Sequence, residues 1–356
     1  MNTVVPLRAA RRVSPAPRIA LLGTGTVGTA FAQRYQRLRA DGAALPDVAW
    51  ISNSRLQVPC TAGLADAVDV ARAAPRRSGG VPPWAEGVGL HRGDIVVDAT
   101  ASERVADWHP EWLARGVHVV TANKLGSGGD LGRAQAIAEA QQDGVRYGDS
   151  ATVGAGLPLL RTIRALVAGG DRIHAVEGVL SGTLAWLLSR FDGAQPFSTL
   201  VREARDAGYS EPDPRIDLSG EDVRRKLLIL ARASGLPLEA HQVRVAPLLS
   251  PALRDAAPDD VDAVLPSLDA DLLARLQAAR ASSTRLCFVG RFDAEGRAEA
   301  GLRALPAAHP LCAGSGTDNR VAIWSDRYRD SPLVIQGPGA GAEVTAAALL
   351  DDVLAI

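Results

Sequence analysis

The period of the apolar positions changes along this chain, and each change marks an element. Arg18 to Leu22 is a short, nearly continuous apolar run, as are Val48 to Ile51, Asp94 to Asp98 and Val117 to Val120. Each is bounded by polar residues or glycine, as buried strands are. Between them the spacing turns helical: Ala30, Phe31 and Tyr35 follow the first run, and 103–115 and 130–142 read as helices. Strands alternating with helices predict an α/β domain with a doubly wound parallel sheet. A Pro- and Gly-rich stretch from Pro75 to Gly89 reads as a surface loop.

After about residue 150 the texture changes. Ala151 to Leu160 is glycine-rich, 157–169 is helical, and Ile173 to Leu180 reads as a strand. Helices are expected at 183–191, 197–207, 219–234 and 260–281, and antiparallel strands at Arg285 to Phe292, Glu299 to Leu305 and Val321 to Trp324. This second unit is α+β. The tail, Leu333 to Gln336 and then Gly337-x-Gly339-Ala340-Gly341, leads into a helix from Val344 to Leu354. The expected organisation is a first domain over 1–150, rejoined by 331–356, with a second domain over 151–330.

Composition narrows the function. With 47% hydrophobic residues over 356 positions the chain can bury two cores. A net charge of −1 argues against nucleic acid or an anionic membrane as the main partner. No run of eighteen apolar residues occurs, so no spanning helix is expected. Met1 to Arg18 carries Arg8, Arg11 and Arg12 without the apolar run of a signal peptide. It reads as a short disordered leader, with a transit peptide as the rival reading. Cys60, Cys287 and Cys312 are odd in number and unclustered, which fits neither a disulfide framework nor a zinc site. A cytoplasmic protein is expected.

Of the 39 basic residues only Lys124 and Lys226 are lysines. A genome-wide codon preference accounts for the bias. It still makes the exceptions informative, because arginine serves for solubility and ion pairs but does not readily give up a proton. A compact ammonium that can deprotonate near neutral pH is offered only by lysine.

Gly23-x-Gly25-x-x-Gly28 follows the first strand and opens a helix, the context that gives the dinucleotide fingerprint its meaning. The first glycine permits the tight turn, the second the approach of the pyrophosphate, and the third close helix–strand packing. The phosphate rests on the helix N-terminus, beside Thr26 and Val27. This predicts a Rossmann-like domain. At the end of the second strand the ribose-binding acid is missing; Ser52, Asn53, Ser54 and Arg55 stand there. That set suits a 2′-phosphate and hence NADP over NAD, while Arg55 can equally be a solvated surface arginine. Thr100, Ala101 and Ser102 lie beyond one strand's carboxyl end, and Asn123 and Lys124 beyond another's, where ligands bind in such sheets. Capping of the next helix is the competing role for Thr100, Ser102 and Asn123.

The densest polar cluster runs from Gly208 to Asp222, stiffened by Pro212 and Pro214. Asp222 and Lys226 are four apart and share a helix face. Val223, Leu227, Leu228, Ile229 and Leu230 make that helix apolar nearly all round, so it is expected to be buried. Ser219-x-x-Asp222 can be an acidic capping box and Asp222–Lys226 a plain ion pair. Glu211, Asp217 and Asp222 gathered on one buried lysine would instead bind a substrate's ammonium group and tune a proton donor.

Taken together these segments resemble homoserine dehydrogenase. The resemblance rests on Thr121-Ala122-Asn123-Lys124, Ala151-Thr152-Val153-Gly154-Ala155-Gly156-Leu157-Pro158, Ser181-Gly182-Thr183, the stretch Gly208 to Lys226, and the tail Gly337 to Ala347. It implies reversible reduction of L-aspartate 4-semialdehyde to L-homoserine with NADP or NAD, in threonine, methionine and isoleucine biosynthesis. It implies that Glu211 and Asp222 bind the amino-acid end of the substrate, with Asp217 and Gly208 nearby. Lys226 then donates the proton, and Lys124 stands between nicotinamide and substrate. Gly23 to Gly28, Thr100, Lys124 and Gly341 would contact the cofactor. The resemblance also implies a monovalent cation such as sodium on the carbonyls of Val153, Ala155 and Leu157. Where many relatives carry an acidic ligand this chain has Ser150, with Asp149 beside it. A homodimer through the second domain's sheet is implied, and the length leaves no room for an aspartokinase module. Two rivals stand beside this reading. Another amino-acid or semialdehyde dehydrogenase on the same scaffold is one, and the semialdehyde enzyme needs a catalytic cysteine. A non-catalytic dinucleotide sensor is the other, and it has no use for the acid–lysine cluster.

Overall fold

A computed structural model describes residues 16–76, 89–141, 144–313 and 316–356. The expected leader, apart from residues 16–18, and most of the Pro75–Gly89 loop lie outside the described residues.

The first sheet holds β1 (Arg18–Leu22), β2 (Asp47–Ser52), β3 (Gln57–Pro59), β4 (Ile95–Asp98), β5 (His118–Thr121) and β6 (Tyr147–Gly148), in the order β3-β2-β1-β4-β5-β6. All neighbours pair in parallel except β2 and β3. The apolar runs are continuous because both faces are covered. Ile19, Leu21, Ile95 and Val97 enter one core, with Phe31 and Leu349. Ala20, Leu22, Val96 and Val119 enter the other, with Trp112. Short β3 and the helix Leu64–Ala73 were not expected from the sequence. The predicted helix 103–115 is two, Glu103–Ala106 and His109–Ala114. Pro110 lacks an N–H and cannot continue a helix from the preceding turn, so the chain starts afresh at His109.

The second sheet holds β7 (Ile173–Val179), β8 (Val243–Val245), β9 (Thr284–Asp293), β10 (Ala298–Pro306), β11 (Asp318–Ser325) and β12 (Leu333–Pro338), in the order β12-β11-β7-β9-β10-β8. Its pairs are antiparallel except β8 with β10. Val176, Phe288, Phe292, Val321 and Ile323 face a large core shared with the surrounding helices. The predicted helix 260–281 is interrupted by a 3₁₀ turn at Leu265–Leu268, where Pro266 removes a donor, and resumes as Asp269–Ala281.

The tail divides between the two units. β12 pairs with β11, and Leu333 and Ile335 join the second core. The C-terminal helix, Ala342–Leu354, then buries Ala346, Leu349 and Val353 in the first domain's core. The chain thus crosses back after Pro338, not at 331.

Candidate active site

The glycine loop follows β1 and opens the helix Thr26–Ala40. Gly23 is held at φ +99°, and a Cβ there would lie 2.8 Å from the Ala99 carbonyl oxygen. A Cβ on Gly28 would come within 1.9 Å of the Gly23 oxygen, so helix and strand meet only because it is absent. Gly25 differs: a Cβ on it would touch nothing within 4 Å, and no side chain caps the helix behind it. The N–H groups of the first turn, at Thr26 and Val27, are thus left for an anion. The loop faces a cleft of about 650 Å³ lined by Gly23, Gly25, Ser52 to Arg55, Arg72 and Ala99 to Ser102, with no carboxylate among the described lining residues.

Asn53 shapes the basic corner of that cleft, accepting from the N–H groups of Arg55 and Leu56 at 2.8 and 3.0 Å. Arg55 Nη1 donates to the carbonyls of Arg72 and Ala74, at 2.9 and 3.1 Å, at the end of the helix Leu64–Ala73. Arg72 was missed in the sequence because its helix was missed. The opposite wall is Thr100 to Ser102. Ser102 stands at the start of Glu103–Ala106 without a side-chain cap bond, and its N–H donates to Thr100 Oγ1 at 3.2 Å.

The lysines come together across the two units. The helix Glu221–Ala233 is buried along Val223 and Leu227 to Ala231, as its sequence predicts. Lys226, with 8% of its side chain exposed, places Nζ 2.8 Å from Asp222 Oδ2 and donates to the Leu180 carbonyl at 2.6 Å. Lys124, just after β5, brings its Nζ to 3.3 Å from Asp222 Oδ1. Burial alone would raise the Asp222 pKa; the ammonium groups of Lys226 and Lys124 outweigh it and hold the carboxyl well below its usual range. The capping box does not form. Gly220 starts the helix in a left-handed conformation (φ +76°), and Ser219 Oγ accepts from the N–H of Glu221. Asp222 is thereby released from capping and turns to the lysines. Arg232, two turns on, clamps the segment after Lys124, donating to the carbonyls of Ser127 and Gly129 at 2.7 and 3.0 Å.

The expected convergence of three acids is corrected to one. Asp217 is spent on its own loop: Oδ2 accepts from Ser210 Oγ and the Glu211 N–H, both at 2.9 Å. Gly208 (φ +75°) closes the helix Phe197–Asp206, with its N–H on Arg205 O and that of Tyr209 on Ala204 O. Thr183 Oγ1 ties the loop down through the Tyr209 carbonyl at 2.6 Å. Glu211 is exposed, and its carboxylate has no partner among the described residues.

The loop carrying Val153, Ala155 and Leu157 offers the cation implied by the resemblance no free carboxylate among the described residues. Ser150 is neutral, and both its N–H (2.9 Å) and its hydroxyl (2.8 Å) bind Asp352 on the C-terminal helix. Asp149 is fully buried and doubly paired with Arg164, at 2.6 and 2.8 Å. The Leu157 carbonyl already accepts from the Leu159 N–H. Each carboxylate beside the loop is thus committed, and no cluster of metal-ligating side chains occurs among the described residues. Gly341 (φ +121°) opens the C-terminal helix, where a Cβ would meet only Val344, at 4.0 Å.

The thiols lie elsewhere. Cys287 and Cys312 line a separate cavity of about 490 Å³ against the second sheet. Burial pushes the Cys60 thiol up to about 11 and that of Cys287, with Cys312 beside it, up to about 12. None of the three cysteines is among the residues lining the glycine-loop cleft, which argues against the thiol-dependent rival.

Comparison with known proteins accords with this geometry. Residues 158–354 match the homoserine dehydrogenase family, and 23–147 match the homoserine dehydrogenase NAD binding domain. A homoserine dehydrogenase of Paracoccidioides brasiliensis is 38% identical over 275 residues, 74% of each chain. Bifunctional aspartokinase/homoserine dehydrogenase 2 of Escherichia coli is 44% identical over 260 residues, 73% of this chain and 32% of that protein. The chain spans about a third of the length of the bifunctional relatives it matches. A solved putative homoserine dehydrogenase from Archaeoglobus fulgidus superposes with a TM-score of 0.76 at 26% identity, covering 94% of this chain and 98% of that one. The chain belongs to the homoserine dehydrogenase family, with the two-lysine site at the junction of its NAD-binding and catalytic portions.

Proposed function

We propose that this protein reversibly reduces L-aspartate 4-semialdehyde to L-homoserine with NADPH or NADH. The observation that carries the reading is the single carboxylate, Asp222, shared by the only two lysines of the chain.

Gly23, Gly25 and the first-turn N–H groups of Thr26 and Val27 would hold a reduced nicotinamide cofactor, which would supply a hydride for the aldehyde carbon. The developing alkoxide then needs a proton and a positive environment. Lys226 has three N–H donors, of which Asp222 and the Leu180 carbonyl take two. The third is free for the substrate oxygen, and Lys226 is the proton donor. Lys124 spends one donor on Asp222 and lends its charge to the same oxygen. After transfer, Asp222 keeps the neutral amine oriented until it is reprotonated. Glu211, left without a partner among the described residues, receives the substrate's ammonium group. Asp217 and Gly208 contribute by fixing the Glu211 loop.

NADP is the preferred cofactor in this reading, because Arg55 and Arg72 edge a cleft with no carboxylate among its described lining residues. The homodimer contact falls on the second sheet, on the face where Trp324 and the Glu177–Arg291 pair are partly exposed. An initial-rate assay with homoserine and either oxidised cofactor tests the activity; equilibrium sedimentation tests the dimer.

A further inference from the structure

Beneath the cofactor wall lies a buried polar network that the reaction as described does not use. Asp98, the last residue of β4, is fully buried and carries an acceptor load from three segments. Its Oδ1 accepts from the Thr100 N–H at 2.9 Å. Its Oδ2 lies 2.9 Å from His109 Nε2, accepts from Asn123 Nδ2 at 3.0 Å, and has Thr121 Oγ1 at 3.5 Å. Asn123 Nδ2 also donates to the Ser102 carbonyl at 2.9 Å, and Asn123 Oδ1 accepts from the Leu125 N–H at 3.1 Å. One carboxylate therefore joins the cofactor wall to the backbone on both sides of Lys124.

His109 is completely buried at the N-terminus of His109–Ala114, packed against Trp112 with ring centroids 5.9 Å apart. Its Nδ1 lies 3.1 Å from the Tyr147 hydroxyl of β6. Both groups press on the segment after Lys124: a Cβ on Gly126 would sit 2.1 Å from the Tyr147 oxygen and 2.9 Å from His109 Nδ1. No lysine or arginine bonds to Asp98 among the described residues, so His109 is its only partner able to carry positive charge. Removing a donor from a buried carboxylate leaves an acceptor unsatisfied, and the groups sharing it shift to compensate.

We propose that His109 is a positioning residue: with Tyr147 and through Asp98 and Asn123, it sets where Lys124 stands relative to the cofactor wall. The proposal rests on Lys124 being the active-site lysine. The histidine was invisible in the sequence because nothing in His109-Pro110-Glu111 marks a ligand, and its partners are 11 and 38 residues away.

The test uses the full chain labelled at lysine Cε with ¹³C. Only two lysine signals arise, assigned by Lys124→Arg. His109→Leu is expected to move the Lys124 signal and leave that of Lys226 in place, to lower kcat about 10-fold or more with KM for homoserine little changed, and to leave NADPH binding within a few-fold. His109→Gln, which retains an N–H toward Asp98, restores most of kcat and returns the signal. Tyr147→Phe, a milder change, gives a smaller displacement of the same signal and serves if His109→Leu does not fold. Unmoved lysine signals, or equal displacement of both, overturn the proposal, as does His109→Gln behaving like His109→Leu. A wild-type chain that turns over no homoserine overturns the functional reading instead, and the lysine spectra still decide the positioning role.

Discussion

Asp222 lies one helical turn before Lys226 and holds its ammonium at 2.8 Å, Oδ2 to Nζ. The spacing makes the pair inevitable once the segment is helical, and burial of the helix gives it chemical weight. With Lys124 on the other oxygen, the carboxylate is the hinge of the site.

Stability should follow that carboxylate in acid. The two lysines hold the folded Asp222 pKa down, so its contribution is fully present above the unfolded value of about 3.9 and is lost as pH falls through the lower folded value. Asp222→Asn is therefore expected to be less stable than wild type at neutral pH, with the gap closing below about pH 4. Denaturant midpoints across the acid range check this; a gap that is constant with pH contradicts it.

Cofactor choice should be carried by the basic corner. Replacing both Arg55 and Arg72 by Gln is expected to raise KM for NADP about 10-fold or more while changing that for NAD little, since only the former carries a 2′-phosphate. Steady-state kinetics with both cofactors decide it. An equal loss for both would assign the arginines to the fold, consistent with the bonds Arg55 makes to the Arg72 and Ala74 carbonyls.

Glu211→Gln removes the free carboxylate and is expected to raise KM for homoserine about 10- to 100-fold, the cost of one charge-assisted bond. Asp217→Asn should act in the same direction through the loop it ties, and should also lower the melting temperature. An unchanged KM in Glu211→Gln would remove that residue from the substrate site.

Turnover and melting temperature should be the same in sodium, potassium and choline chloride at equal ionic strength, because Ser150 and Asp352 satisfy each other and Arg164 neutralises Asp149. A requirement for one cation, visible as a thermal shift as well as a rate, would contradict this account of the loop.

Much of the fold was legible because its signals are local. Arg18 to Leu22 reads as a strand buried on both faces, and the three glycines after it announce their turn. Asp222 and Lys226 declare their contact by spacing alone. The helix Leu64–Ala73 carried the same kind of signal, with Leu64, Ala67, Val68 and Ala71 on one face, and Arg72 would have followed from it. What could not be read is how polar groups are shared in space. Whether Asp217 serves a substrate or its own loop depends on the path of the chain at Glu211, and the claim of Asp98 on His109 depends on packing beneath the sheet.

The most direct test measures homoserine oxidation by the wild-type chain and by Lys226→Arg, with NADPH affinity determined for both. The account predicts homoserine-dependent turnover by wild type, and a loss of kcat of about 100-fold or more in Lys226→Arg with the cofactor still bound. No turnover by wild type, or near-normal turnover by the arginine variant, would contradict it.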